Sequence, residues 1–282
     1  MKTILLAIDF SEGIENCCSY AVRVAARFDA EIILFHSYFD KFLVAENNFP
    51  TGIEADTLIN RKILNDIKTQ AEADLSNIAG CIVEAHPEAK VKPALTGGNP
   101  EEEILNAALL YKVDLIMLGS SGKAVKGIFS GSISKKIIEN TTIPVLSIPL
   151  HYTYKDIKNV MYPTELIHND PEIIELIFDL LSKFNFKMHC IHLVQSDEKP
   201  TTEKLEKLKL HFSEAIKKDL VCAQVLESDN FTESLEKYVA DNNINMIAFV
   251  AHKRGFLKEL FTQKLTKKDL FHLELPMLTI KR

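Results

Sequence analysis

Cysteine is scarce in this sequence and shows no paired spacing. The chain of 282 residues has five cysteines, an odd number, at positions Cys17, Cys18, Cys81, Cys190 and Cys222. This usage excludes a disulfide-rich secreted scaffold and indicates free thiols in a reducing compartment. We therefore expect a cytoplasmic protein in which Cys17 and Cys18 are buried, unreactive thiols rather than a redox pair.

The sequence also lacks a long apolar run and an excess of basic residues. No stretch approaches the roughly 18 apolar residues that a membrane-spanning helix needs. The opening MKTILLAIDFSE has the pattern of a first strand and not of a signal peptide. With 33 Lys and Arg against 39 Asp and Glu, the net charge is −6, which disfavours non-specific binding to nucleic acid. We therefore expect neither a membrane nor a nucleic acid as partner.

What the sequence does contain is a pattern that occurs twice. Asp9, which follows the apolar run TILLAI, matches Glu165 at the end of KNVMYPTE, and His36 matches His192, both at an offset of 156. Further on, VDLIMLGSS matches INMIAFVAH at an offset of 131, and TIPVLSI matches ELPMLTI at 132. One fold unit therefore occurs twice with divergence, and we predict two domains, at residues 1–150 and 151–282.

Each unit alternates strand-like and helix-like segments. In the first unit we predict strands near 3–8, 31–37, 91–96, 114–119 and 144–148, and helices near 13–28, 56–79, 100–111 and 131–140. The strands are unbroken apolar runs, which are typical of a parallel sheet that is covered on both faces. We therefore predict an α/β fold with two doubly wound domains, each a five-stranded parallel sheet in the order 3-2-1-4-5 with helices on both faces.

A cluster of small residues, LGSSGKAVKGIFSGSISKK, follows the fourth strand. In such a sheet ligands bind at the carboxyl ends of the strands where the order reverses, here between the strands that end at Asp9 and Gly119. Gly119 and Gly122 allow close approach of the backbone, and Gly131-Ser132 begins a helix whose free N–H groups favour an anion. The spacing matches neither a Walker A loop nor GxGxxG. A nucleotide loop and a plain turn with a helix cap therefore both stay open.

The whole chain resembles a tandem universal stress protein, with two copies of that family's domain. Nucleotide-binding members carry Gly-x2-Gly-x9-Gly-Ser/Thr after strand 4, an Asp ending strand 1 and a His-Val near the end of strand 2. The matching positions here are Asp9, His36-Ser37, Gly119, Gly122, Gly131 and Ser132, with eight residues instead of nine between Gly122 and Gly131. The resemblance implies that Asp9 and the backbone near Ser37 hold adenine, and that the glycines and Ser132 hold ribose and phosphates.

The second half keeps the histidine, as His192, but departs from this motif at Asp9, at the three glycines and at Ser132. The replacements are Glu165 for Asp9, Val250 for Gly119, Lys253 for Gly122, Gln263 for Gly131 and Lys264 for Ser132. Side chains at these positions take up the space that phosphates would need. We therefore expect one adenine nucleotide per chain, ATP or else ADP or AMP, bound in the first domain only.

The resemblance implies a stress-response protein that acts as a nucleotide-dependent sensor or regulatory module. No Ser/His/Asp or Cys/His spacing argues for a catalytic triad, so the alternatives are a nucleotide-independent interaction scaffold and a slow ATPase. His189 and His192 project from opposite faces of one strand and cannot share a metal ion, whereas Mg²⁺ beside Asp9 stays open. We expect the fifth strands, 144–148 and 276–280, to pair the domains within the chain, with a homodimer and an unidentified protein partner left open.

Overall fold

The computed structural model describes residues 1–11, 13–38, 54–120, 132–195, 202–251 and 273–281. The strands in these ranges are β1 (Thr3–Ala7), β2 (Glu31–Tyr38), β3 (Lys90–Gly97), β4 (Leu115–Ser120), β5 (Val145–Pro149), β6 (Asn159–Pro163), β7 (Lys187–Val194), β8 (Val221–Glu227), β9 (Met246–Ala251) and β10 (Met277–Lys281). The helices are α1 (Ile14–Phe28), α2 (Glu54–Ala85), α3 (Pro100–Leu110), α4 (Ser132–Asn140), α5 (Asp170–Leu180), α6 (Thr202–His211), α7 (Ser213–Lys217) and α8 (Phe231–Asp241).

The chain divides into two compact units, Met1–Gly119 and Ser120–Arg282. The strand order is β3-β2-β1-β4 in the first unit and β5-β10-β9-β6-β7-β8 in the second. Among the strand pairs described within the units, only β5 with β10 is antiparallel. The α/β class with a mainly parallel sheet is confirmed. The layout of five strands in each of two domains, with a boundary after residue 150, stays a prediction.

The apolar runs become fully buried strands, as expected for a parallel sheet covered on both faces. Ile4, Leu5 and Leu6 of β1 are completely buried, and so are Ile32, Ile33 and Leu34 of β2. In the second unit every residue of β9 is buried. No helix in the described parts of the chain combines the length and apolar character needed to cross a membrane.

The helices of the first unit follow from the strand order. The connections β1–α1–β2 and β2–α2–β3 step in the same direction across the sheet, so right-handed crossovers place α1 and α2 side by side on one face. Helix α2 has 32 residues, about 48 Å at the α-helical rise, and is therefore longer than the strands beside it. Its early residues Ile63 and Ile67 are accordingly 39% and 40% exposed, whereas Ala71 and Leu75 of the same apolar stripe are buried.

The antiparallel pair of the second unit contains two buried hydroxyl groups. Leu146 of β5 is paired with Leu278 of β10, and Ser147 is paired with Met277. Ser147 and Thr279 are 0% and 2% exposed, and neither hydroxyl has a hydrogen-bond partner within the described structure. A buried polar group without a partner loses its hydration without compensation and therefore destabilises the folded state.

Replacing one of these hydroxyls with hydrogen should stabilise the protein. We expect Ser147→Ala to raise the free energy of unfolding by about 1 kcal/mol, measured by chemical denaturation. The control is Thr141→Val, because the Thr141 hydroxyl is also buried but accepts the Ile143 N–H at 3.0 Å. That variant should lose about 1 kcal/mol. A destabilised Ser147→Ala would show that its hydroxyl has a partner in solution.

Candidate functional site

The strand register brings three of the predicted site residues to one edge of the first unit. Ala7 of β1 is paired with Phe35 of β2 on one side and with Leu118 of β4 on the other. Asp9, Ser37 and Gly119 follow these positions by one or two residues. All three therefore lie at the carboxyl ends of neighbouring strands, where a doubly wound sheet binds its ligands.

The remaining predicted site residues belong to the loop after β4. Gly122 and Gly131 lie outside the described residues. Ser132 is the first residue of α4 and falls in the second compact unit. The roles of these residues toward ribose and phosphate therefore stay predictions.

Asp9 lies in a tight turn between β1 and α1. Its Oδ1 accepts the Ser11 N–H at 3.1 Å, and the intervening Phe10 has a positive φ of 56°, which is uncommon for a residue other than glycine. The Asp9 side chain is exposed, and its Oδ2 makes no hydrogen bond to a described residue. The turn therefore presents an exposed carboxylate oxygen that can accept a hydrogen bond from a ligand.

His36 holds the end of β1 in this turn. Its Nδ1 lies 2.8 Å from the Ile8 carbonyl oxygen, and because that oxygen can only accept, the ring nitrogen donates. The His36 ring also packs against Phe10, with ring centroids 4.2 Å apart. Ile8 is the residue directly after β1, yet its carbonyl bonds to the His36 ring and does not continue the strand pairing.

This redirection leaves a backbone donor of β2 open. In a parallel ladder, alternate residues direct their backbone groups to the same neighbouring strand. Phe35 accepts the Ile8 N–H through its carbonyl at 2.9 Å, so Ser37, two residues on, also faces the β1 side. Its hydroxyl donates to the Gly98 carbonyl at 3.1 Å, while its N–H has no partner among the described residues. Ser37 therefore offers a backbone N–H beyond the end of β1.

The open Ser37 N–H and the exposed Asp9 carboxylate form a donor and an acceptor on adjacent strands. An adenine edge presents the complementary pair, an exocyclic amine beside a ring nitrogen that accepts. The two groups are thus of the chemical types that such an edge pairs with, and their role toward a base stays a prediction. The sequence did not reveal the His36 bond on which the open N–H depends, although the match of His36 to His192 at the same offset as Asp9 to Glu165 pointed to this position.

The second unit repeats the turn and changes its chemistry. His192 donates from Nδ1 to the Thr164 carbonyl at 2.8 Å, and Leu166 has a φ of 53°, matching His36, Ile8 and Phe10 at the offset of 156. Glu165 stands where Asp9 stands in the first unit. Val250 is a buried residue of β9, 7% exposed. Lys253, Gln263 and Lys264 lie outside the described residues.

A buried polar network that sequence reasoning missed lies under this second turn. The Asp170 carboxylate, 1% exposed, accepts the Tyr162 hydroxyl at 2.7 Å, the Thr164 hydroxyl and the Ile167 N–H at 2.9 Å. The corresponding residues of the first unit are the buried Leu6, Ile8 and Ile14. A carboxylate with three donors is satisfied internally, so the network stabilises the turn and is no ligand site by itself.

The two histidines of β7 have internal partners. His189 lies 2.8 Å from the Tyr238 hydroxyl through Nδ1 and 3.3 Å from the Asn159 side-chain oxygen through Nε2. Both ring nitrogens of His189 are therefore satisfied within the protein. Within the described residues, no group of three or more His, Cys, Asp or Glu is placed to hold a metal ion.

Cys17 and Cys18 are buried free thiols, as expected, and burial raises the pKa of both to about 12.

Known proteins resemble this chain in sequence and in fold. The sequence model described as "Universal stress protein family" matches residues 1–149. Universal stress protein MJ0577 of Methanocaldococcus jannaschii is 28% identical over 150 residues, 51% of this chain and 93% of that protein. The universal stress protein of the QAH/OAS sulfhydrylase 3′ region in Thermus aquaticus is 31% identical over 148 residues, 51% of this chain and 96% of that protein. A universal stress protein structure from Archaeoglobus fulgidus matches 99% of this chain and 96% of its own, with a TM-score of 0.69 and 18% identity.

The mainly parallel α/β sheet with polar groups at its carboxyl edge has the architecture in which doubly wound proteins bind ligands at that edge. The sequence matches give the family directly, because they span more than half of the chain and nearly the full length of the curated relatives. The chain belongs to the universal stress protein family. The structural match at 18% identity extends the fold, though not the family assignment, to the whole chain.

Proposed function

We propose that this chain is a tandem universal stress protein that binds one adenine nucleotide and acts as a stress-response sensor or regulatory module. The nucleotide is of the ATP type, ATP or else ADP or AMP, and a Mg²⁺ ion beside Asp9 stays open. Asp9, Ser37, Gly119, Gly122, Gly131 and Ser132 form the site. A cytoplasmic location and an unidentified protein partner belong to the same proposal, whereas a slow ATPase is the alternative within the same site.

One observation carries the proposal. The carboxylate of Asp9 and the backbone N–H of Ser37 are left open at the carboxyl ends of adjacent strands, and together they complement an adenine edge. Asp9 and Ser37 supply recognition of the base, and Gly119 at the end of β4 gives the room for close approach. When bound, the nucleotide would supply its phosphates as the signal that differs between ATP, ADP and AMP.

The tandem layout of two five-stranded domains is supported by the shared geometry of the two turns and by the β5–β10 pair. Positions 146 and 278 are equivalent in the repeat, and they are paired with each other. Ser147 pairs with Met277, and Thr279 pairs with Val145, so the repeat maps each pair onto the other. This is the self-complementary pattern of a twofold interface. The proposal therefore includes pairing of the two domains within one chain. A paired-domain scaffold that acts without nucleotide is the second candidate function.

Titration with ATP tests the nucleotide proposal. We expect a fitted stoichiometry near one per chain in isothermal titration calorimetry. Asp9→Ala should weaken binding about tenfold, because it removes a charged acceptor from the base, whereas Asp9→Asn keeps an acceptor and should lose less. Glu165→Ala, at the matching position of the second half, should leave the affinity and the stoichiometry unchanged.

The outcomes separate the alternatives. A stoichiometry near two would show that the second half still binds nucleotide, and an unchanged affinity in Asp9→Ala would remove Asp9 from the site. A wild-type protein that binds no adenine nucleotide would favour the scaffold. Release of phosphate from bound ATP, measured over hours, would favour the slow ATPase.

A further inference from the structure

A groove runs between α1 and α2 on one face of the first unit. None of the residues assigned to the nucleotide lines it, although Phe10 and Ser11, which directly follow Asp9, do. Its volume is about 800 Å³, within the range of pockets that hold small molecules. Ile14, Cys18 and Val22 form its α1 wall at intervals of four residues. Ile78 and Ile82 belong to the α2 wall. Each helix therefore presents one continuous stripe to the groove.

The groove has two distinct ends. Both helices connect parallel neighbouring strands, so α1 and α2 run in the same direction. The first lining residues of α1, around Glu15, therefore lie at the same end as Asp74, the first lining residue of α2. Val22 and His86 lie toward the other end. The distance from Asp74 to Ala85 along α2 is about 16 Å at the helical rise, so the groove suits an elongated molecule.

The groove is apolar along its length and acidic at one end. Ile14, Cys18 and Val22, which supply the apolar part of the α1 wall, are buried by the fold. Glu15 and Asp74 lie on opposite walls at the same end, and no Lys or Arg is among the described residues that line the groove. Asp74 accepts the Gln70 amide at 2.9 Å. Neither carboxylate forms an ion pair with a described cation, so within the described part of the chain the negative charge at this end is not compensated.

We propose that the groove binds an elongated apolar molecule with a cationic head, of the alkylammonium class. The ammonium group lies between Glu15 and Asp74, where opposite charge is attractive. The apolar chain lies along the α1 wall, beside the half-buried Ile78 and the exposed Cys81 of the α2 wall, and removes the apolar surface still exposed in the groove from water. A ligand carboxylate would meet two like charges and is disfavoured. This site shares no lining residue with the proposed nucleotide site, and its acidic end lies next to the turn that holds Asp9.

The thiol of Cys81 provides a direct readout. Cys81 is an exposed free cysteine on the α2 wall, whereas Cys222 of the second unit is half-buried and serves as an internal reference. Decylamine, decanol and decanoate have chains of equal length and differ in head charge. We expect decylamine to slow maleimide labelling of Cys81, followed by peptide mass spectrometry, at concentrations about threefold to tenfold lower than decanol. Decanoate should be the weakest.

The apolar part and the cationic part of the proposal can be tested separately. The length of the alkyl chain tests the first, and the two carboxylates test the second. Each added CH₂ should improve the affinity of an alkylamine by up to about fourfold. The double variant Glu15→Gln with Asp74→Asn should abolish the preference for decylamine over decanol. Equal protection by all three head groups in the wild type would overturn the cationic head. Equal slowing at Cys81 and Cys222, or no slowing at Cys81, would overturn the groove as a site.

Filling the groove gives an independent test with a matched control. Ile78→Trp places a large side chain in the groove, and Ser19→Phe does so from the α1 wall. Either folded variant should lose the protection of Cys81. Val83→Trp adds the same bulk to an exposed position of α2, 42% exposed and outside the lining, and should keep the wild-type protection. Unchanged binding in the folded groove variants would overturn the proposal.

Discussion

Asp170→Ala should lower the free energy of unfolding by about 3 to 5 kcal/mol. Asp170 is 1% exposed, and it is the common acceptor for the hydroxyls of Tyr162 and Thr164 and for the Ile167 N–H. Its removal leaves two buried hydroxyls and one part-buried N–H without their acceptor, and each such group costs free energy. The effect is therefore large for a single substitution.

The network also fixes the conformation of the turn between β6 and α5. Thr164 accepts the Leu166 N–H through its hydroxyl at 2.9 Å, and Leu166 adopts the left-handed φ of 53°. Burial, reinforced by the Asp170 charge, raises the pKa of Tyr162 above its ordinary value, so the Tyr162 hydroxyl keeps its proton and donates. Loss of the shared acceptor thus loosens both the strand end and the helix start.

Chemical denaturation of two further variants separates this account from a general sensitivity of α5. Asp179→Ala lies on the same helix at an exposed position and should change the stability by less than about 0.5 kcal/mol. The triple variant Tyr162→Leu, Thr164→Ile, Asp170→Ile installs the apolar residues of the first half and should recover most of the loss. If Asp170→Ala and Asp179→Ala were equally stable, the network would carry no stability.

The parts of the fold that could be predicted are those set by burial and periodicity. The apolar runs ending near Asp9 and Gly119 became adjacent strands, because only buried parallel strands accommodate such runs. The end of α2 was predicted at residue 79, before Gly80, but the helix continues to Ala85. Gly80 therefore lies inside α2, where a glycine costs only about 1 kcal/mol, which the packing of Leu75 and Ile82 outweighs.

The parts of the site that could not be predicted depend on bonds between distant residues. The open Ser37 N–H requires that the Ile8 carbonyl bond to His36 and not to the neighbouring strand. The turn that permits this has a Phe at positive φ, and this residue type does not indicate such a conformation. The Tyr162, Thr164 and Asp170 network is likewise spread over a strand, a turn and a helix. Single residue types did not reveal either arrangement, because each depends on three-dimensional proximity.

His189 should make the folded protein sensitive to acid. It is 4% exposed, and burial, with a smaller contribution from the Lys187 ammonium, lowers its pKa from 6.5 to about 4. The Asn159 side-chain oxygen can only accept, so Nε2 of the neutral ring donates to it, and Nδ1 accepts the Tyr238 hydroxyl. The native network is therefore built around a neutral imidazole.

The sign of the pH dependence follows from this lowered pKa. The unfolded chain binds a proton on His189 near pH 6.5, whereas the folded protein does so only near pH 4. The stabilisation is thus complete above pH 6.5 and is lost as the pH falls toward 4, in total about 3 kcal/mol. The carboxylates titrate in the same range, so the comparison must be made between variants at each pH.

Urea denaturation of the wild type and His189→Gln, between about pH 7 and about pH 4.5, measures this contribution. Gln keeps a donor for Asn159 and does not titrate, so the wild type should lose about 2 kcal/mol more than the variant over this range. The exposed His211, which contacts Glu175 at 3.0 Å, gives the matched control, and His211→Gln should show the wild-type loss. Parallel curves for the wild type and His189→Gln would mean that the His189 network accepts the charged ring, and that Tyr238 turns its hydroxyl to accept from Nδ1 at no cost.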